Sequence, residues 1–331
     1  MMQHQYIERT SGAVRTERLF KDKVVRTIYS DVREKAPFLL NALTAGWTTD
    51  LIAFVTYDFP AVRWVAGNQK FLDELKLDYS ECIQPIEWFD TPRKVFERQI
   101  RYWECRPMPE DEGVAVSPAD SRVIVGSFAE TSSVFLKDKF FTQAELLGRE
   151  RWRDRFADGD FAVCRLTPDK YHYNHSPVSG VVEDFYAVEG AYHACNPTAI
   201  VTVGDTYSKN RRVVTIIDTD VEGGSRMGKV ALIEIVALMI GDVKQSYSDE
   251  KYDAPRDVAP GLFMKRGQPK SLYRPGSSTD IVVFERGRVA FEPDIVANMR
   301  RTDAESRFSL GFGQPLVETE LNVRSAIARR L

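Results

Sequence analysis

Two hydrophobic periodicities divide the chain. In "TERLFKDKVVRTIYSDVREKAPFLLNAL" (residues 16–43) apolar residues recur at three-to-four spacing, the mark of an amphipathic helix. "TPRKVFERQIRYWE" (91–104) opens with a Thr cap and a Pro at the first helical position. Residues 15–105 therefore read as mainly helical. The pattern changes near "CRPMPEDEGVAVSPADSRV" (105–123). Short β-rich runs follow, among them "SRVIVGSF", "DFAVCRL", "GVVEDFYAV", "AIVTVG", "RRVVTIID", "KVALIEIVALMI", "TDIVVFE" and "RVAFE", parted by Gly, Pro, Asn and Asp. One helical interruption, "FTQAELLGRERWRDRF" (141–156), falls between them. The pattern predicts an α+β fold: a helical N-terminal layer, residues 1–105, on a β-rich body, residues 106–331, built as a curved sheet, barrel or sandwich.

Composition narrows the partners. The 331 residues are 43% hydrophobic and 28% charged, as in a soluble globular chain with a sizeable core. A net charge of −3 gives no reason to expect a nucleic-acid partner. Cys82, Cys105, Cys164 and Cys195 form no CxxC pair, which fits a reducing compartment and neither a zinc site nor a disulfide framework. No run reaches the roughly 18 apolar residues of a membrane span, and "MMQHQYIERTSG" lacks the apolar core of a signal peptide. The expected address is the cytoplasm, with peripheral contact at a membrane surface left open.

Candidate chemistry collects at three places. "DKYHYNHSPVSG" (169–180) carries two of the four histidines, His172 and His175. They could ligate a metal, but no third His or Cys stands near; they could be structural; or one could act as a general base near neutral pH. Asp120 lies in the Pro-Ala-Asp turn of "AVSPADSRVIVG", where an Asp is most often a turn residue. "RPGSSTDIVVFERG" (274–287) places Ser277 and Ser278 at the mouth of a strand. An Asp, a His and a Ser are the ingredients of a nucleophilic relay. A GxSxG elbow is missing, which argues against the common α/β hydrolases.

These stretches, in their order, resemble the phosphatidylserine decarboxylase family of pyruvoyl-dependent decarboxylases. "FERQIRYWECRP" is similar to the family's stretch ending in Arg-Pro, and "VSPADSRV" to its Pro-x-Asp-Gly segment, with Ser121 for the usual Gly. "RLTPDKYHYNHSPVSG" resembles the Tyr-His-Arg-x-His signature, with Tyr173 for Arg. "LKDKFFTQAELLG", "YHACNP", "NRRVV" and "GKVALIEIVALMIGDV" resemble further family segments, the last departing at Val236 and Asp242. "RGQPKSLYRPGSSTDIVVFERG" resembles the self-cleavage segment, and "VAFEPDIVANM" the tail of one branch.

The resemblance implies a proenzyme that cuts itself near residues 276–278 into a large N-terminal and a small C-terminal fragment. It implies a covalent pyruvoyl cofactor made from a serine, which accepts the substrate amine and the electrons left by CO2. Residue by residue, Asp120 would orient His175, His175 would be the base for cleavage, and His172 would protonate the decarboxylated carbon. Read as Gly-Ser-Ser, the segment puts the cut after Gly276 and the pyruvoyl at Ser277. Counted without gaps from both sides, it puts the nucleophile at Ser278, which is the favoured assignment. The implied partner is phosphatidylserine or a free amino acid, an aromatic one included, and the implied assembly a homodimer. The departures at Ser121, Tyr173, Val236 and Asp242 motivate a rival reading, a relative that never matures and does not catalyse. A zinc hydrolase using His172 and His175 is a third.

Overall fold

A computed structural model describes residues 3–19, 77–129, 143–203, 206–237, 243–274 and 278–331. The helix expected over residues 16–43 falls almost wholly outside them, as do Gly241, Asp242, Gly276 and Ser277.

Among the described residues the dominant element is a sheet of ten strands: β1 (Gln5–Glu8), β2 (Val14–Thr16), β4 (Ser121–Ser127), β5 (Asp160–Leu166), β7 (Gly180–Val188), β8 (Arg212–Asp218), β9 (Lys229–Ile235), β11 (Phe263–Met264), β13 (Ser278–Phe284) and β15 (Glu318–Leu321). Their order across the sheet is β11-β7-β8-β9-β13-β5-β4-β15-β1-β2. Two three-stranded sheets accompany it. One joins β10 (Val243–Gln245), β12 (Pro269–Tyr273) and β6 (Tyr173–His175); the other joins β14 (Val289–Phe291), β16 (Ala326–Arg330) and β3 (Val114–Val116).

The run "TDIVVFE" shows why the strands read as unbroken apolar stretches. β13 is buried along its whole length. Ile281 and Val283 join one hydrophobic core and Val282 and Phe284 a second, so both faces of the strand are covered. Each such side chain contributes about 1.5–3 kcal/mol on burial. The strand lies between β9 and β5, with Asp280 opposite Glu234 on one side and Cys164 on the other.

Short helices pack around the sheets. Thr91 caps α1 (Pro92–Phe96) by accepting from Lys94 N at 3.3 Å, with Pro92 at the first turn, as its sequence predicts; the helix stops at Phe96, and α2 (Tyr102–Cys105) is separate. α3 (Gln143–Leu147) and α4 (Glu150–Arg155) fall inside the expected helical interruption.

Two expectations fail. "AIVTVG" belongs to a helix, α5 (Pro197–Val203), not a strand. Asn196 accepts from Thr198 N at 2.8 Å and Pro197 starts the first turn, so the start signals override the β-branched residues. Residues 5–8 and 14–16, placed by sequence in the helical region, are strands. β1 joins β15 in parallel, and the pair β1–β2 closes one edge of the large sheet. Buried charges pin it there: the Arg165 guanidinium donates to Glu17 at 2.6 Å and to Glu318 at 2.6 Å, and His4 lies 2.8 Å from Glu318. A pair of chain-distant carboxylates around one guanidinium is a signal that periodicity does not contain.

Candidate active site

The site begins with the turn between β3 and β4. Ser117 Oγ donates to Ala119 O at 2.7 Å and shapes the turn. Pro118 O accepts from His175 N at 2.7 Å, so this turn is tied to β6. Asp120 is buried. Its Oδ1 accepts from Val323 N at 2.8 Å and Arg106 Nε at 3.0 Å, and its Oδ2 from Arg106 Nη2 at 2.9 Å. Burial alone would raise this carboxyl, but the Arg106 guanidinium holds it below the usual carboxylate range. Arg106 also donates to both oxygens of Glu81, at 2.8 and 2.9 Å.

His175 ends β6, fully buried, opposite Pro269 of β12. Its Nδ1 lies 2.9 Å from Gly267 O, and its Nε2 lies 3.0 Å from Tyr171 Oη. A carbonyl can only accept, so Nδ1 carries the proton and the Nε2 lone pair receives the Tyr171 hydroxyl. Gly267 turns at φ +72°, a backbone conformation that an L side chain would strain. Tyr102 packs edge-on against the imidazole, ring centres 4.7 Å apart. Burial drives the His175 pKa down to about 3; the Gly267 bond opposes this, and Asp120 opposes it through space. The two predicted relay partners are thus within electrostatic reach without a hydrogen bond between them.

His172 directly precedes β6 and is buried, its ring edge-on to Phe96 of α1 at 5.0 Å. Its carbonyl accepts from Tyr273 N at 3.0 Å. Tyr273 ends β12, and the chain runs from there through residues 274–277 to Ser278, the first residue of β13. Of the two histidines, His172 is therefore the one whose backbone meets the end of the strand that leads to the serines. Ser278 faces Leu166 of β5, is fully buried, and among the described residues its Oγ has no hydrogen-bond partner. A buried orphan hydroxyl is costly unless it has a use.

Beyond Ser278 lies a buried polar cluster that no motif announced. Asp280 Oδ1 accepts from Tyr273 Oη at 2.7 Å, while its buried Oδ2 has no partner among the described residues. Burial and then the nearby Glu234 push its carboxyl well above the usual range. Glu234 accepts from Lys270 Nζ at 2.6 Å, from Asn174 Nδ2 at 3.1 Å and from Ser271 Oγ. Lys270 is fully buried. A cavity of about 180 Å³ opens onto Asp120 and Tyr171, with Glu81, Arg98, Arg106 and Lys170 in its walls.

Three residues missed as site members stand inside stretches already singled out. Arg106 is the Arg of the Arg-Pro, Tyr171 stands four before His175, and Gly267 lies in the stretch similar to the self-cleavage segment. Asn210 ties distant segments together, bonding His193 N and O at 2.9 and 2.8 Å and Val236 O at 2.8 Å. The zinc reading lacks its third ligand. Among the described residues, groups with metal-ligand geometry converge only at His4, Glu17 and Glu318, where the Arg165 guanidinium already bonds both carboxylates. No helix of the described residues is long and apolar enough to cross a membrane.

Comparison with known proteins gives one consistent answer. A family model described as phosphatidylserine decarboxylase matches residues 93–308. A protein of Fusobacterium nucleatum named phosphatidylserine decarboxylase proenzyme is 28% identical over 313 residues, 93% of this chain and 95% of that protein. A Chlamydia trachomatis protein of the same name is 26% identical over 301 residues, 88% of this chain and 90% of its own length. Phosphatidylserine decarboxylase proenzyme 2 of Oryza sativa is 32% identical over 246 residues, 73% of this chain and 36% of the longer plant protein.

Proposed function

Given that the chain belongs to the phosphatidylserine decarboxylase family, and so to the carboxy-lyases, we propose that it cuts itself before Ser278 and then converts phosphatidylserine to phosphatidylethanolamine and CO2. The observation that carries the choice of serine is the Ser278 hydroxyl, buried and unpartnered at the first position of β13. Ser277 lies outside the described residues. The names of the relatives support a phospholipid substrate, and none of those reported supports a free amino acid.

His175 is neutral and takes the Ser278 Oγ proton. For this its Nε2 must release the Tyr171 hydroxyl and receive the serine's. Asp120 acts on His175 through its field and through the Pro118–His175 backbone bond. Oγ bonds to the carbonyl carbon of residue 277 as the 277–278 peptide bond breaks. Elimination then breaks the Cβ–Oγ bond, residue 277 keeps the oxygen as a carboxylate, and water releases the nitrogen as ammonia. The pyruvoyl group left at position 278 supplies a ketone that binds the substrate amine and accepts the electron pair released with CO2. His172, just before β6 and bonded through its carbonyl to Tyr273 at the end of β12, delivers a proton to the decarboxylated carbon. A homodimer and contact with a bilayer surface belong to the same reading.

Intact-mass spectrometry of the denatured wild-type protein tests the cut. The expected result is two fragments, the small one running from a pyruvoyl group at position 278 to Leu331. A small fragment one serine residue heavier moves the site to Ser277. A single uncut chain overturns the proposal.

A further inference from the structure

A short chain of hydroxyls ends on His175. Tyr171 Oη lies 3.0 Å from His175 Nε2 and 2.7 Å from Tyr252 Oη. Tyr252 comes from the connection between β10 and β11, and its Oη in turn lies 3.0 Å from Ile100 O and 3.2 Å from Ile100 N. The rings themselves are held by packing. Tyr171 stacks on Tyr173 with ring centres 5.5 Å apart, and Tyr252 stands edge-on to Tyr173 at 5.0 Å and to Tyr102 at 5.5 Å. What packing leaves open is the direction of each O–H.

Counting hydrogens leaves two arrangements. Burial raises both phenols well above their ordinary value, so each keeps its single hydrogen near neutral pH. The Tyr171 hydrogen can point at one neighbour only. In the first arrangement it points at His175 Nε2. Two oxygens 2.7 Å apart need a hydrogen between them, so Tyr252 then donates to Tyr171. Ile100 O gives up the Tyr252 hydroxyl but still accepts from Tyr102 N at 2.8 Å. In the second arrangement Tyr171 donates to Tyr252, and Tyr252 donates to Ile100 O. Tyr252 Oη now accepts from both Tyr171 and Ile100 N, and the His175 Nε2 lone pair is open. Neither arrangement strands a buried donor, and the two differ only by rotation about two C–O bonds.

We propose that these two hydroxyls form a latch on the imidazole: Tyr171 donating to Nε2 keeps His175 occupied, and Tyr252 draws the Tyr171 hydroxyl away so that Nε2 can take the Ser278 proton. The proposal rests on the reading that His175 is the base for self-cleavage. Tyr171 and Tyr252 are positioning residues in it, since they act through the base and not on the reacting atoms. Their effects have opposite signs. Tyr171 competes with Ser278 for one lone pair, so its hydroxyl slows the cut. Tyr252 offers that competitor another acceptor, so its hydroxyl speeds the cut. A role in packing alone would give both the same sign.

The test follows the full chain from its synthesis. Pulse-labelled precursor is made by cell-free translation, and the appearance of two fragments is followed over time on denaturing gels. Tyr171→Phe should cleave about fivefold faster than wild type and Tyr252→Phe about fivefold slower, each the worth of one net hydrogen bond. The double variant should follow Tyr171→Phe, because without the competitor its alternative acceptor has no task. A second measurement needs no cleavage. It uses the uncut Ser278→Ala chain with 15N-labelled histidine, of which the sequence has four. The His175 Nε2 resonance should move toward that of an unbonded imidazole nitrogen in Tyr171→Phe and away from it in Tyr252→Phe. Slower cleavage in Tyr171→Phe, or losses in both single variants that add in the double, overturns the latch. So does an Nε2 resonance that neither substitution moves. His175→Ala cleaving at the wild-type rate strikes the base reading and with it the control of cleavage; the nitrogen shifts then still decide whether the two hydroxyls trade partners.

Discussion

Arg106 grips Asp120 at two points, Nε on Oδ1 at 3.0 Å and Nη2 on Oδ2 at 2.9 Å, so the carboxylate faces a guanidinium and not the imidazole of His175. Removing the guanidinium leaves a buried charge without its partner. Arg106→Ala should cost roughly 3–5 kcal/mol in urea unfolding. The same change made in an Asp120→Asn background should cost much less, because the orphaned charge is gone. Equal losses in the two backgrounds would show that Arg106 acts through packing or Glu81 alone.

The buried imidazole sets a pH dependence of stability. The folded pKa of His175, about 3, lies below the ordinary value of about 6.5. Between these values the unfolded chain binds a proton that the folded chain does not. The His175 contribution is thus complete above about pH 6.5 and is lost as pH falls toward 3. Urea midpoints from pH 7.5 down to pH 4 should decline in wild type and decline less in His175→Gln. The rate of self-cleavage should show no histidine-like inflection between pH 5 and 8; an inflection near 6.5 would mean that the base is not this ring as it is held here.

His172 and His175 should separate by step. His172→Ala loses an edge-on contact with Phe96 but leaves its backbone bond to Tyr273 possible. The variant should still give two fragments, with decarboxylation reduced by about 10²-fold or more, within the range that a proton donor contributes. Turnover equal to wild type on matured protein would remove the assigned role.

Asp280 carries the opposite pH sign. Burial and the nearby Glu234 raise its carboxyl well above the ordinary range in the fold, while in the unfolded chain it ionises near pH 4. Its contribution is whole below that value and is lost as pH rises toward the folded pKa. Asp280→Asn keeps an acceptor for Tyr273 and removes the titration. At pH 7.5 the variant should be more stable than wild type, since it escapes the cost of ionising a buried carboxyl. At pH 4 the advantage should vanish. A variant less stable at both pH values would show that Asp280 is ionised in the fold.

Local signals carried much of the fold. The Thr91 cap, the turn before β4, and the strands of the body follow from residue types a few positions apart. The decision at 197–203 turned on Asn196 and Pro197, small signals against a β-branched run. β1 and β2 were out of reach, because what holds them is Arg165, Glu17 and Glu318, groups drawn from three distant parts of the chain. The site was legible as residues but not as bonds. His172, His175 and Asp120 came from motifs; that Tyr171 would occupy one nitrogen of His175, and Arg106 both oxygens of Asp120, depends on how β6, α2 and the β3–β4 turn meet.

A cut before Ser278, as proposed, would carry an order of events with it. β13 stands inside the ten-stranded sheet, with seven paired positions along β5 and six along β9. Downstream of it, β15 sits between β4 and β1, and β16 pairs with β3. A chain severed before Ser278 is two polypeptides woven through one another, and neither can leave without unzipping the other's strands. Assembly must come first and scission second, since a free C-terminal piece would arrive as a strand with no sheet to enter. Once made, the nick is a seam inside a finished fabric, invisible to gel filtration and revealed only by denaturation.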